Sequence, residues 1–185
     1  MKQVLLIIDA QQALIEGEDG EQGVIEKERL IDNINTVIKK AKEEKAFIVF
    51  VRDIDVSKGE GPGFEIHKNI NVPSNAVIFN KAATNSFYGT ELNAYLKEHN
   101  VKHLVIMGCQ TEYCIDTAVR TATVSQFDVT LVGDGHSTSD SEQLSAKQII
   151  LHHNRILHGH YNVDNFSMVR NSDEELFTPT HREYR

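Results

Sequence analysis

Short unbroken apolar runs recur along the chain, separated by stretches with helical spacing. Val4 to Ile8 is the first run and ends at Asp9, the pattern of a parallel strand buried on both faces. Ala46 to Val51 repeats it, Ala76 to Lys81 predicts a third strand ending in a lysine, and Val101 to Gly108 a fourth. Phe127 to Asp134 and the short Phe166 to Val169 complete the set. Between them, Ile31, Ile34, Ile38 and Ala41 share one face of a helix predicted over Val24 to Glu44. Thr90 caps a second helix over about Glu91 to His99. Thr111 stands at the N-cap position of a third, reaching about Gln126, in which Ile115, Ala118, Val119 and Ala122 line up. Ser141 opens a fourth, with Ala146, Ile149, Ile150, His153 and Leu157 on one side, and the tail from Asn171 reads as polar and charged. Strand and helix alternate throughout, which predicts one α/β domain over residues 1–185: a three-layer α/β/α sandwich with a mostly parallel sheet of about six strands.

Composition narrows the partners. A net charge of −8 without a basic stripe argues against nucleic acid. No apolar run approaches the ~20 residues of a membrane helix, and the first run has the wrong length and flanks for a signal peptide. Cys109 and Cys114 show neither CxxC nor zinc-finger spacing, so the expectation is a reduced, cytoplasmic protein acting on a small molecule. Two loops stand out: acidic Gly17 to Gly23, and the long Arg52 to Asn75, which holds Gly59-Glu60-Gly61-Pro62-Gly63. Long loops in compact domains tend to be lids or binding loops.

Three strand ends carry reactive groups: Asp9 after the first, Lys81 after the third, and Cys114 just past the fourth. In a doubly wound sheet such ends converge on one rim. A carboxylate can take a thiol proton while an ammonium stabilises the thiolate. The predicted helix start adds a positive dipole end near Cys114, which favours the thiolate further. Taken singly each residue has a plainer reading, since an Asp after a strand is usually a turn or cap, a Lys is usually solvated, and a Cys is usually a small buried hydrophobe.

The motifs Leu6-Ile7-Ile8-Asp9-Ala10-Gln11, Asn80-Lys81 with Ser86-Phe87-Tyr88-Gly89-Thr90-Glu91-Leu92, and Gly108-Cys109-Gln110-Thr111-Glu112-Tyr113-Cys114-Ile115 resemble those of the isochorismatase-like cysteine hydrolase superfamily. That superfamily includes nicotinamidases, pyrazinamidases and carbamoylsarcosine amidases, and the resemblance runs from Lys2 to about Val169. It implies a Rossmann-like sheet, with Asp9 as general base, Lys81 as its charged partner and Cys114 as nucleophile. It also implies a non-proline cis peptide at Cys109–Gln110, with the amides of Gln110 and Cys114 as the oxyanion hole and Cys109 in a structural role. Gln11, Ser86, Phe87, Tyr88 and Tyr113 flank this set and are the candidate substrate-binding residues; homodimers or homotetramers are common in the family.

Nicotinamidases of the superfamily hold a metal through an Asp-x-His pair and further histidines, whereas this chain has Asp53-Ile54-Asp55 and then His67. The region resembles the metal-free branch, which implies no metal and no cofactor. His152, His153, His158 and His160 lack a spacing that suits a metal on one helix face, and packing or capping is their expected role. The function expected is hydrolysis of a small-molecule amide C–N bond through a thioester. The alternatives are vinyl-ether hydrolysis of isochorismatase type, a nicotinamidase with a degenerate metal site, and a binding protein that keeps the triad as an inherited feature.

Overall fold

The computed structural model describes residues 2–178 and His181; the rest of the predicted polar tail, residues 179–180 and 182–185, lies outside the described residues. In chain order the elements are β1 (Lys2–Ile8), α1 (Gln12–Glu16), α2 (Lys27–Glu43), β2 (Phe47–Asp53), a 3-10 turn (Val56–Gly59) and α3 (Gly61–Phe64). They continue with β3 (Val77–Lys81), α4 (Leu92–Glu98), β4 (Val101–Cys109), a π-helical turn (Thr111–Ile115), α5 (Asp116–Val124) and β5 (Asp128–Ser137). Helix α6 (Ala146–Leu157) and strands β6 (Tyr161–Asn162) and β7 (Asn165–Arg170) close the series. The sheet has seven strands in the order β3-β2-β1-β4-β5-β7-β6, parallel except for β6.

Burial on both faces explains the unbroken apolar strands. Leu5 and Ile7 of β1 face a core with Ile48, Phe50, Val105, Met107 and the buried face of α2. Val4, Leu6 and Ile8 face the other way, into a core with Val49, Val51, Leu104, Ile106, α4 and α5. Alternation along one strand thus serves two helix layers, and both layers are apolar.

Several predicted features are placed differently. Helix α6 starts at Ala146, capped by Ser145 and Gln148 in a reciprocal capping box, because Ser141 lies upstream in a turn. Thr111 does not cap: the residue before the π-helical turn is Gln110, and no side chain caps it. The segment read as a polar tail folds back, burying Leu176 and Phe177 against the α2 core, with Gln3 Nε2 donating to the Phe177 carbonyl at 2.7 Å. Its apolar pair is too short to register in a periodicity pattern.

Candidate active site

Strand order fixes where reactive groups meet. β1 lies between β2 and β4, so the chain direction of successive connections reverses at the β1/β4 boundary, where open α/β sheets bind ligands beyond their carboxyl ends. Ile8 is in register with Gly108, which sets Asp9 beside the turn that follows β4. Asp9 itself takes a left-handed conformation with φ of 51°, and its amide donates to the Val51 carbonyl at 2.8 Å. On the other side of β1, Asp53 of β2 is in register with Lys81 of β3.

These placements bring Asp9, Lys81 and Cys114 together. The Lys81 ammonium lies 2.9 Å from Asp9 Oδ2 and donates to Cys114 Sγ at 3.4 Å. It also makes a short ion pair with Asp53 Oδ2, a residue the sequence reading set only against the nicotinamidase metal pattern. Its signal was available in hindsight: Asp53 ends the strand next to the one that Lys81 ends. Lys81 and Asp9 are both almost wholly buried. Burial opposes the charge on Lys81, but the negative charges of Asp9 and Cys114 and the hydrogen bonds to Asp53 and Asp9 outweigh it, and its pKa is raised. Burial pushes the Asp9 carboxyl up to about 6, with Lys81 and the Cys114 thiol pulling the other way.

Cys114 departs from expectation. Burial, reinforced by the charge of Asp9, pushes its thiol up to about 12 in spite of Lys81. The expected thiolate is therefore not the resting form: loss of water around the sulfur disfavours its charge more than Lys81 favours it. The proton rests on sulfur, next to an ionised carboxylate at neutral pH. Cys109, wholly buried at the end of β4, has its thiol raised by burial, and no disulfide joins the two cysteines.

The turn carrying Cys114 is anchored from below. The peptide bond between Cys109 and Gln110 is cis, and the Ile115 amide closes the π-helical turn on the Gln110 carbonyl at 3.2 Å. Thr111 Oγ1 meets His136 Nδ1 at 2.9 Å, and His136 Nε2 meets Asn154 Oδ1 at 2.8 Å. Asn154 Nδ2 donates to the Gly133 carbonyl, so its oxygen faces His136; Nε2–H then donates and Nδ1 accepts from the Thr111 hydroxyl. Burial lowers the His136 pKa to about 4, which keeps the ring neutral in this chain. Sequence reading missed His136, which follows Gly133-Asp134-Gly135 beyond the apolar run and the predicted strand end.

Above the cluster opens a cleft of about 780 Å³, whose lining includes Asp9, Gln110, Tyr113 and Cys114. That volume lies in the range of small-molecule sites. Tyr113 is 56% exposed and sits on the wall, whereas the other four pocket candidates are not among the described residues lining it. Gln11 is buried, with Nε2 donating to the carbonyls of Asp53 and Phe64 and Oε1 accepting from the Asp53 amide. It ties the end of β2 to the long loop. Ser86 is buried, Phe87 packs on Phe127, and Tyr88 is exposed to solvent.

The residues do not fit the metal site expected of nicotinamidases. His67 Nδ1 accepts from the Asn69 amide at 3.2 Å, and Nε2 meets Glu16 at 3.0 Å, so both ring nitrogens are engaged away from Asp53 and Asp55. Among the described residues, the donor atoms that do cluster at ligating distance are those of Asp9, Asp53 and Cys114. Their shared cation is the Lys81 ammonium, which contacts all three.

The fold is an open, mostly parallel α/β sheet, and it carries a thiol, a lysine and two carboxylates at its switch point. Residues 3–152 match the Isochorismatase domain, and the chain belongs to that family of hydrolases. It is 28% identical over 142 residues to a streptothricin hydrolase of Streptomyces noursei, covering 75% of this chain and half of that protein. It is 26% identical over 138 residues to the uncharacterized isochorismatase family protein YrdC of Bacillus subtilis, covering 72% of each. Among solved structures, an isochorismatase family protein superposes with a TM-score of 0.81 at 29% identity, over 91% of this chain and 98% of that one. The N-carbamoylsarcosine amidase of Thermoplasma acidophilum shares the fold, with a TM-score of 0.75 at 19% identity over 95% and 99% of the two chains.

Proposed function

We propose that this protein is a cysteine hydrolase that cleaves the C–N bond of a small-molecule amide through a thioester on Cys114. The observation that carries the reading is the single ammonium of Lys81 in contact with both the Asp9 carboxylate and the Cys114 sulfur. Asp9, ionised above about pH 6, takes the thiol proton as Sγ attacks the carbonyl carbon. Lys81 stabilises the charge passing from carboxylate to sulfur, and the amides of Gln110 and Cys114 receive the oxyanion. The protonated Asp9 returns its proton to the departing nitrogen, which leaves as amine or ammonia. Asp9 then activates a water that cleaves the thioester and restores the thiol.

The test is ammonia release across a panel of primary amides, with isochorismate as the vinyl-ether arm and EDTA present or absent. At least one amide should turn over, at the same rate with the chelator, because Lys81 supplies the cation. Cys114→Ala should lower that turnover by roughly 10⁴-fold or more while leaving the thermal unfolding transition in place. Turnover of isochorismate alone, or activity that survives Cys114→Ala, would sink the reading.

A further inference from the structure

Resting on the amidase reading, we infer that the cleft selects a substrate with a positive charge, an amide bearing an ammonium or guanidinium at the end remote from its scissile carbonyl. Among the described residues, seven carboxylates line the cleft, and one lysine, Lys58, lines it with them. Two of the seven, Asp9 and Asp53, share Lys81. The other five, Glu18, Asp19, Glu21, Asp55 and Glu60, are exposed, and none has an ion pair among the described residues. The nearby cations are taken elsewhere: Lys27 pairs with Glu16 and Arg52 with Glu65.

The five belong to two loops that face each other, residues 17–23 and 54–63. The Ser57 hydroxyl donates to Glu18 across the gap, and Gly63 packs so closely that a Cβ there would lie 2.7 Å from Glu18 Oε1. The acidic walls are therefore held together and do not splay apart. At the floor, the two carboxylates of Asp9 and Asp53 share the single ammonium of Lys81, so the base of the cleft adds negative charge to that of its walls. Tyr113 adds an aromatic ring to the same lining, a surface that cations favour.

Carboxylates over a low-dielectric cleft focus a negative potential that concentrates cations and repels anions. The effect fades once salt shortens the screening length. Anionic substrates meet this wall first, so a dicarboxylate such as isochorismate is disfavoured on charge alone.

The experiment compares 6-aminohexanamide, hexanamide and adipamate, three amides of one chain length with a positive, neutral or negative far end. Binding is measured by calorimetry on Cys114→Ala, so the outcome does not depend on turnover. The cation should bind roughly tenfold or more tightly than the anion at low salt, the ratio shrinking toward one at about 0.5 M salt. The triple variant Asp19→Asn, Glu21→Gln, Glu60→Gln, made in the same background, should narrow the ratio severalfold. Equal binding of cation and anion, no binding of the cation, or a ratio untouched by the triple variant would overturn the inference. Ammonia release by the wild type on the same series reports separately on the amidase reading.

Discussion

Asp9 and Cys114 share one ammonium and are both pushed upward by burial, yet they end on opposite sides of neutral pH. Asp9, at about 6, is a carboxylate in neutral solution; Cys114, at about 12, is a thiol. In the proposed mechanism the reacting form is ionised Asp9 beside a protonated thiol, so activity is expected to fall as pH drops through the Asp9 pKa. The acid limb of kcat/KM for an amide substrate should have its midpoint near 6, with a slope of about tenfold per pH unit below it. Above that the profile should stay level through neutral pH, since the thiol does not titrate there. A midpoint near 4, the ordinary carboxylate value, would show that the base is not buried as described. Asp53 belongs to the same scale of argument. It answers the second half of the Lys81 charge, so the buried pair at Asp9 is part of a three-group set in which one cation faces two anions.

At the scale of elements, the site depends on how closely β4 approaches β1. Gly108 has φ of +124°, and a Cβ there would lie 1.9 Å from the Ile8 carbonyl oxygen, so both backbone conformation and space demand glycine. Gly108→Ala should cost more than about 4 kcal/mol or prevent folding, measured by urea unfolding. Gly89, also left-handed with φ of +66° but with nothing within 4 Å of a Cβ, serves as the control. Gly89→Ala should cost only about 1–2 kcal/mol. Similar losses in both variants would mean that the β1–β4 contact is not as tight as described. The same approach of strands supports the turn above it: Thr111, His136 and Asn154 link the turn, β5 and α6 through a buried and a part-buried hydrogen bond. The shape of the Cys114 turn is thus set by three elements, not by the local sequence that carries the motif.

Over the whole molecule, the two helix layers and the segment of Leu176 and Phe177 close the structure around the sheet. Leu176 and Phe177 cover the open side of the α2 core, while Arg170 donates to the Glu175 carbonyl and Lys40 to that of Glu174. Phe177→Ala removes a buried ring far from the cleft and should lower stability by about 3–5 kcal/mol in urea unfolding. A loss below about 1 kcal/mol would show that this segment does not pack as described. Six of the seven strands, the four longer helices and the parallel architecture were legible in the sequence because each depends on a local repeat of apolar positions. The two-residue β6 and the short helices α1 and α3 were not, since segments of two to five residues carry no period.

The sequence by itself determined the alternation of strand and helix, and with it the convergence of Asp9, Lys81 and Cys114, because strand ends follow from where apolar runs stop. Tertiary structure decided what those residues have as neighbours. It gave Lys81 its second carboxylate, turned His67 toward Glu16, placed Gln11 beneath the long loop and returned Leu176 and Phe177 to the core. It also decided the protonation state of Cys114, since desolvation depends on everything packed around the sulfur and not on the residues beside it in the chain. The acidic walls of the cleft have the same origin: two loops some forty residues apart in sequence face each other only once the sheet is formed.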